Sequence, residues 1–165
     1  MPFPPRKEVE RRKPYGDVPL IADTSAWTAI RRSRALGNTP RDWTNAWMGR
    51  QLLVSPVVRL ELLHDAKSAD DFEALDHLLG FYDEVPVSAR TFKTAIAVRE
   101  LAVYGRSPGF HRVGMGDALI AASAQERGVG VLHYNARDFD KLAVVLSFES
   151  VLVAPLGKFE RQILG

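Results

Sequence analysis

The sequence predicts an α/β fold, a three-layer α/β/α sandwich around a mostly parallel sheet of about five strands. Three observations carry that expectation. Short apolar runs, too brief for helices, alternate with segments in which apolar residues recur at helical spacing. The links between them are short, and such alternation builds a parallel sheet covered on both faces. The chain has 165 residues, 46% apolar and 25% charged, enough for one domain with a true core at residues 18–165.

Taken in order, residues 1–17 are rich in proline and charge and lack an apolar period, so they read as a flexible N-terminal lead. Val18 to Ala22 is a first buried strand, stopped by Asp23, Thr24 and Ser25. A helix over about 26–34 ends at Gly37 and Pro40, and a second, about 40–49, carries Trp43 and Trp47 on one face. That aromatic pair reads as core before it reads as a base-stacking platform. Leu52 to Val54 is the second strand, and Ser55-Pro56 starts the next helix with a cap and a first-turn proline. That helix, 57–64, is apolar almost all round yet holds Glu61 in its second turn. A carboxylate among Val and Leu needs a partner if buried; exposure, or pairing with Arg59 or His64, is the plain alternative.

Residues 69–82 form an amphipathic helix with Phe72, Leu75, Leu78 and Leu79 inward. Val85-Pro86-Val87 reads as a strand at the sheet edge, because proline cannot donate to a ladder. Ser88 caps a long helix through about Tyr104, with Phe92, Ile96 and Val98 as its apolar residues. A basic, glycine-rich loop follows at 105–112. Gly114 and Gly116 precede an alanine-rich helix that carries Asp117 in its first turn and ends at Gly128, a C-cap glycine. Val129 to His133 is a strand running into the acidic turn Tyr134–Asp140, and a helix at about 139–146 and a strand at 151–153 complete the fold.

Composition narrows the chemistry. With no cysteine, disulfides and thiolate metal sites are excluded, as expected of a cytoplasmic protein, and any metal must be held by oxygen or imidazole. No apolar run approaches the ~20 residues that span a bilayer, so no membrane association is expected. The net charge of +2 comes from the lead; beyond residue 17 there are 17 basic and 17 acidic residues. Their layout is uneven, with Arg31, Arg32, Arg34, Arg41, Arg50 and Arg59 facing one acid, Asp42, and seven acids clustered between 65 and 84. Such runs commonly form solvated faces, and a split of this kind also suits an anionic partner on one side.

Asp23 follows a buried strand, Asp138 follows another, Asp117 opens a helix, and Glu61 lies in the helix after a strand. In a parallel sheet such positions converge on one edge, where ligands bind. Asp23, Thr24 or Ser25 could instead simply cap a helix. Converging acids without a buried lysine repel each other, and a hard divalent cation, Mg²⁺ or Mn²⁺, relieves that repulsion. One or two such ions suit hydrolysis of a phosphodiester. Other chemistries lack their residues. A phosphatase of the haloacid-dehalogenase kind needs an acid where Ser25 stands, and no G-x-G-x-x-G turn, Walker loop or H-E-x-x-H is present. The histidines His64, His77, His111 and His133 have no ligand spacing and read as surface or core residues.

The strings LIADTSAW (20–27), SPVVRLELL (55–63), GDALIAASA (116–124) and YNARDFDKLA (134–143) resemble those of PIN domains, and within them toxin nucleases of VapC type, over about 18–155. The resemblance implies Asp23, Glu61, Asp117 and Asp138 as the acidic metal site, with Asp23 and Asp117 as direct ligands. It implies that Glu61 and Asp138 complete the shell or orient water, that Thr24 or Ser25 holds a metal-bound water, and that Asn135 supports the pocket. Asp140 is the alternative fourth carboxylate, since many relatives have an acid where Asn135 stands. The implied activity is endoribonuclease cleavage that inhibits translation, with RNA as substrate, a cognate antitoxin as inhibitor and a homodimer as assembly. Two other functions stay open: a PIN nuclease of RNA maturation or decay without an antitoxin, and a non-catalytic scaffold that binds RNA or protein.

Overall fold

The computed structural model describes residues 18–35, 50–104 and 113–153, with Ile30, Ser33, Arg34, Ala35 and Ala102 described by backbone alone. The expected lead at 1–17, the helix at 40–49 with Trp43 and Trp47, and the basic loop at 105–112 lie outside these residues.

The described residues contain five strands and six helices. In chain order they are β1 Leu20–Ala22, α1 Thr24–Ala35, β2 Leu52–Val54, α2 Pro56–His64, α3 Ala69–Leu79 and β3 Asp83–Glu84. Then come α4 Ala89–Tyr104, α5 Met115–Arg127, β4 Gly130–His133, α6 Ala136–Val145 and β5 Ser150–Leu152. The strands pair in parallel in the order β3-β2-β1-β4-β5. The register sets Leu20 beside both Leu52 and Gly130, and Ala22 beside Leu132. Leu20, Ile21 and Ala22 are all fully buried. Successive strand residues face opposite sides, so both faces of the sheet are covered, as the sequence predicts.

Helix ends follow the local chemistry. Ser55 accepts from the Val57 N–H (3.2 Å) ahead of Pro56, and Ser68 accepts from the Asp71 N–H (3.0 Å). Ser88 and Thr91 exchange backbone and hydroxyl bonds at the start of α4. Gly128 closes α5 in the left-handed conformation (φ 63°), and the Val129 N–H bonds back to the Ala124 carbonyl (3.0 Å). That bond takes Val129 out of the ladder, so β4 starts one residue later than the sequence suggests. Similarly, β3 comes earlier than expected: pairing runs through Asp83 and Glu84 to the Val85 N–H on the Val54 carbonyl (2.8 Å), and Pro86 ends it. The edge position that Pro86 implied is the one β3 occupies.

Several helix faces differ from expectation. Phe72 (45%), Phe92 (51%) and Ile96 (55%) are exposed, whereas Leu75, Leu79 and Val98 are buried. On α2 only Val58 and Leu62 are buried, and Leu60 is exposed. The arginine-rich face is also broken up. Arg50 pairs with Glu149 (2.6 Å) and donates to the Val18 carbonyl, while Arg59 pairs with Asp76 (2.5 Å) and Glu84 (3.6 Å). Arg50 and Glu149 are nearly buried, their side chains 6% and 12% exposed. Breaking such a pair strands a buried charge, so Arg50→Ala is expected to lower stability by about 3 kcal/mol in urea unfolding. Among the described residues no helix is long and apolar enough to cross a membrane.

Candidate functional site

β1 and β4 are neighbours, and between them the chain order reverses: β2 and β3 lie on one side, β5 on the other. Ligands of open α/β sheets bind beyond the carboxyl ends of strands at such a point. Asp23 leaves β1 here, and its N–H bonds the Leu132 carbonyl of β4 (2.9 Å). The residue is 2% exposed. Oδ1 accepts from the Ala26 N–H (2.8 Å), so Asp23 caps α1 and the helix begins at Thr24. Capping therefore does not compete with a site role; one residue does the capping at the strand end.

The Ser25 hydroxyl donates to the Asp23 carboxylate (2.7 and 2.9 Å) and accepts from the Tyr134 N–H (2.8 Å). It thus ties the turn after β1 to the turn after β4. Sequence offers no signal for this contact, because its two ends are 109 residues apart. Ser25 thereby holds the Asp23 carboxylate in place.

Asn135 stands immediately before α6, where a side chain would ordinarily cap the helix. It makes no cap bond. Its amide nitrogen lies 3.1 Å from Asp138 Oδ2 and 3.4 Å from Asp117 Oδ2, between the two carboxylates. Asp138, 6% exposed, sits in the first turn of α6, and Arg137 approaches its other oxygen (3.4 Å). Asp117 sits in the first turn of α5. The remaining acid, Glu61, is exposed on α2 rather than buried. Its carboxylate turns toward the others, accepting from the Thr24 hydroxyl and lying over Gly116. Arg59 is not its partner, being held by Asp76 and Glu84. A Cβ at Gly116 would stand 2.5 Å from Glu61 Oε1, so a side chain there would make the Glu61 carboxylate shift from its place beside Asp117. The sequence marks Gly116 only as a close-packing residue; the contact with Glu61 requires the fold.

All four predicted acids are therefore brought to one edge of the sheet. Asp140 is not with them; it is exposed and meets the Ser150 hydroxyl (3.3 Å). Burial, with Asp117 adding repulsion, pushes the Asp23 carboxyl up to about 7, against the hydrogen bonds from Ala26 and Ser25. Asp117 is pushed up to about 6 by burial and then by the charges of Asp138 and Glu61. Among the described residues, Arg137 is the cation paired to this group, with a side chain 70% exposed. The acids do not form a ready shell: no three carboxylate or imidazole groups among the described residues are converged to hold an ion. Hydroxyl and amide donors on Glu61, Asp117 and Asp138 stand where a cation would compete.

Residues 20–145 match the PIN domain, a span covering most of the chain and all four acids. The chain belongs to the PIN-domain family. It is 36% identical over 141 residues to Ribonuclease VapC18 of Mycobacterium tuberculosis, covering 84% of this chain and 97% of that protein, and so stands among the VapC ribonucleases of that family. Ribonuclease VapC51 of the same organism is 29% identical over 104 residues, covering 63% of this chain and 73% of that protein. The fold of this PIN domain matches a DNA-bound VapBC from Salmonella typhimurium (TM-score 0.58, 21% identity, 82% and 98% of the two chains). It also matches VapBC-5, of the VapBC family of toxin-antitoxin systems, from Mycobacterium tuberculosis (TM-score 0.56, 22% identity, 82% and 99%).

Alanine at Gly116 would displace the Glu61 carboxylate from this PIN-domain site while leaving α5 intact. Gly116→Ala is expected to weaken Mn²⁺ binding about tenfold, measured by calorimetry, with little change in thermal stability.

Proposed function

We propose that the chain is a divalent-metal-dependent endoribonuclease, the toxin of a toxin–antitoxin pair, acting on RNA in the cytoplasm and so inhibiting translation. The observation that carries this reading is the gathering of Asp23, Glu61, Asp117 and Asp138 at the carboxyl ends of β1 and β4. VapC18 and VapC51 are named ribonucleases, and VapBC-5 belongs to a family of toxin–antitoxin systems, which supports an antitoxin partner; assembly as a homodimer is part of the same proposal.

The donor set fits a hard cation. It is all oxygen, it carries excess negative charge, and two of its carboxyls are held above their ordinary range by burial and mutual repulsion. Asp23 and Asp117 would hold Mg²⁺ or Mn²⁺ directly, with Glu61 and Asp138 completing the shell. Bound there, the ion supplies charge neutralisation for the phosphodiester and acidifies a water.

The chain's own residues do the rest. The Ala26 N–H and Ser25 hydroxyl fix Asp23 in one orientation, and the Asn135 amide spaces Asp117 from Asp138. Glu61, exposed at the rim and held by the Thr24 hydroxyl, would complete the shell or orient the attacking water. Arg137, paired with Asp138, and the exposed Arg31 and Arg32 of α1 would supply positive charge for RNA phosphates. Arg50 and Arg59, committed to ion pairs, are removed from that role.

The test is incubation of the purified protein, free of antitoxin, with total RNA and with Mg²⁺, Mn²⁺ or chelator. Discrete fragments in metal alone support the reading. No cutting, together with no thermal stabilisation by Mn²⁺, overturns it in favour of a binding scaffold.

A further inference from the structure

His133, at the end of β4, is 1% exposed and forms part of the core. Its ring stacks on Phe139 of α6 (centroids 4.8 Å, planes 20° apart). Nδ1 accepts from the Asn135 N–H (3.1 Å), and Nε2 lies 2.7 Å from the Ser150 hydroxyl of β5. A nitrogen that accepts from a backbone N–H carries no proton. The proton therefore sits on Nε2 and is donated to Ser150, whose hydroxyl in turn donates to Asp140 (3.3 Å). Burial holds the ring neutral, pushing it down to about 4. Both ring nitrogens and one ring face are thus fixed, and one of those fixed points is the backbone of the residue whose amide lies between Asp117 and Asp138.

We propose that His133 is a positioning residue of the nuclease site, its ring anchoring the turn at Asn135 from which the amide reaches Asp117 and Asp138. The inference rests on the nuclease reading above. It assigns a site role to a buried imidazole that touches neither RNA nor metal. The line of action runs from β5 through Ser150 and the ring to the Asn135 N–H, so the spacing of two acids depends on a hydrogen bond from the neighbouring strand. The shape of the ring matters less than its acceptor. An asparagine here presents a side-chain oxygen at the same distance along the side chain, able to take an N–H two residues on in an Asx turn.

The experiment measures Mn²⁺ affinity of the RNA-free protein by calorimetry, and kcat and KM for RNA cleavage, in wild type and variants. His133→Phe keeps the stack and loses both hydrogen bonds; it is expected to bind Mn²⁺ about tenfold more weakly and to lose at least that factor in kcat, with KM changed less than about twofold. His133→Asn restores the acceptor and is expected to stay within about threefold of wild-type affinity. The His133→Phe and Asn135→Ala losses should not multiply in the double variant, because both act through one amide. Wild-type affinity and kcat in His133→Phe, or losses that multiply, overturn the proposal. Should His133→Phe not fold, Ser150→Ala takes its place, with an affinity loss of at least about threefold expected and unchanged affinity overturning. A wild-type protein that neither binds Mn²⁺ nor cuts RNA overturns the nuclease reading itself, a result distinct from a normal wild type with an unaffected His133→Phe.

Discussion

Asp117→Asn is expected to abolish RNA cleavage, by on the order of a thousandfold or more in kcat, in a protein that remains folded. Asp117 receives the repulsion of both Asp138 and Glu61, so its carboxylate is the one the other acids press upon. An amide of the same shape removes that repulsion along with the negative charge a cation would need. Its oxygen can still accept from the Asn135 amide nitrogen, at 3.4 Å from Asp117 Oδ2 in the native protein. Stability should therefore hold or rise in chelator, while Mn²⁺ ceases to raise the melting temperature. Circular dichroism, thermal melts with and without Mn²⁺, and RNA fragment analysis check each part. A variant that cuts RNA at the native rate would remove Asp117 from the site.

The second large effect is a stability that depends on pH through Asp23. Its carboxyl is lifted from 3.8 to about 7 in the folded chain, chiefly by burial. Between these values the folded state binds a proton that the unfolded state does not, so stability is fully present below about pH 4 and is lost as pH rises through about 7. Without metal, the penalty at pH 8 is of order 4 kcal/mol. Asp117 acts in the same direction, its folded value of about 6 also lying above 3.8. His133 opposes them: folded at about 4 and unfolded at 6.5, it loses stability as pH falls through that window. Comparing wild type with Asp23→Asn isolates the first contribution. In chelator the variant should be the more stable protein at pH 8, with the difference shrinking toward pH 4, measured by urea unfolding. Mn²⁺ should stabilise wild type at pH 8 and leave the variant unmoved. A wild type and variant with parallel pH profiles would show that Asp23 does not carry this burial penalty.

Much of this was legible in the sequence for definite physical reasons. β1, β2 and β4 announce themselves as short apolar runs bounded by turn and capping residues, and Ser55, Ser88 and Gly128 mark helix ends where the structure has them. Acids at strand-to-helix turns could be placed on one edge because parallel strands share a direction. What could not be read was which way side chains turn. Glu61 lies in an apolar string yet is exposed, its carboxylate turned toward Thr24 and Gly116, while α2 buries Val58 and Leu62. Phe92 and Ile96 have core spacing on α4 but remain exposed. Arg50 and Arg59 look like a cationic face until chain folding brings Glu149 and Asp76 to them. Contacts between residues distant along the chain, Ser25 with Tyr134 and Gly116 with Glu61, leave no local trace.

The position of the acids within the sheet carries one more consequence. Asp23 and Asp138 hang from β1 and β4, each flanked by a strand on both sides, whereas β3 and β5 form the rims. Rebuilding the β3 rim therefore leaves β1 and β4, and the turns that carry Asp23 and Asp138, in place, while Glu61 rides on α2, which Arg59 ties to Glu84 of β3. The outer margin beside β3 is where this architecture can take up insertions and new recognition loops, while the inner pair of strands keeps the chemistry in register.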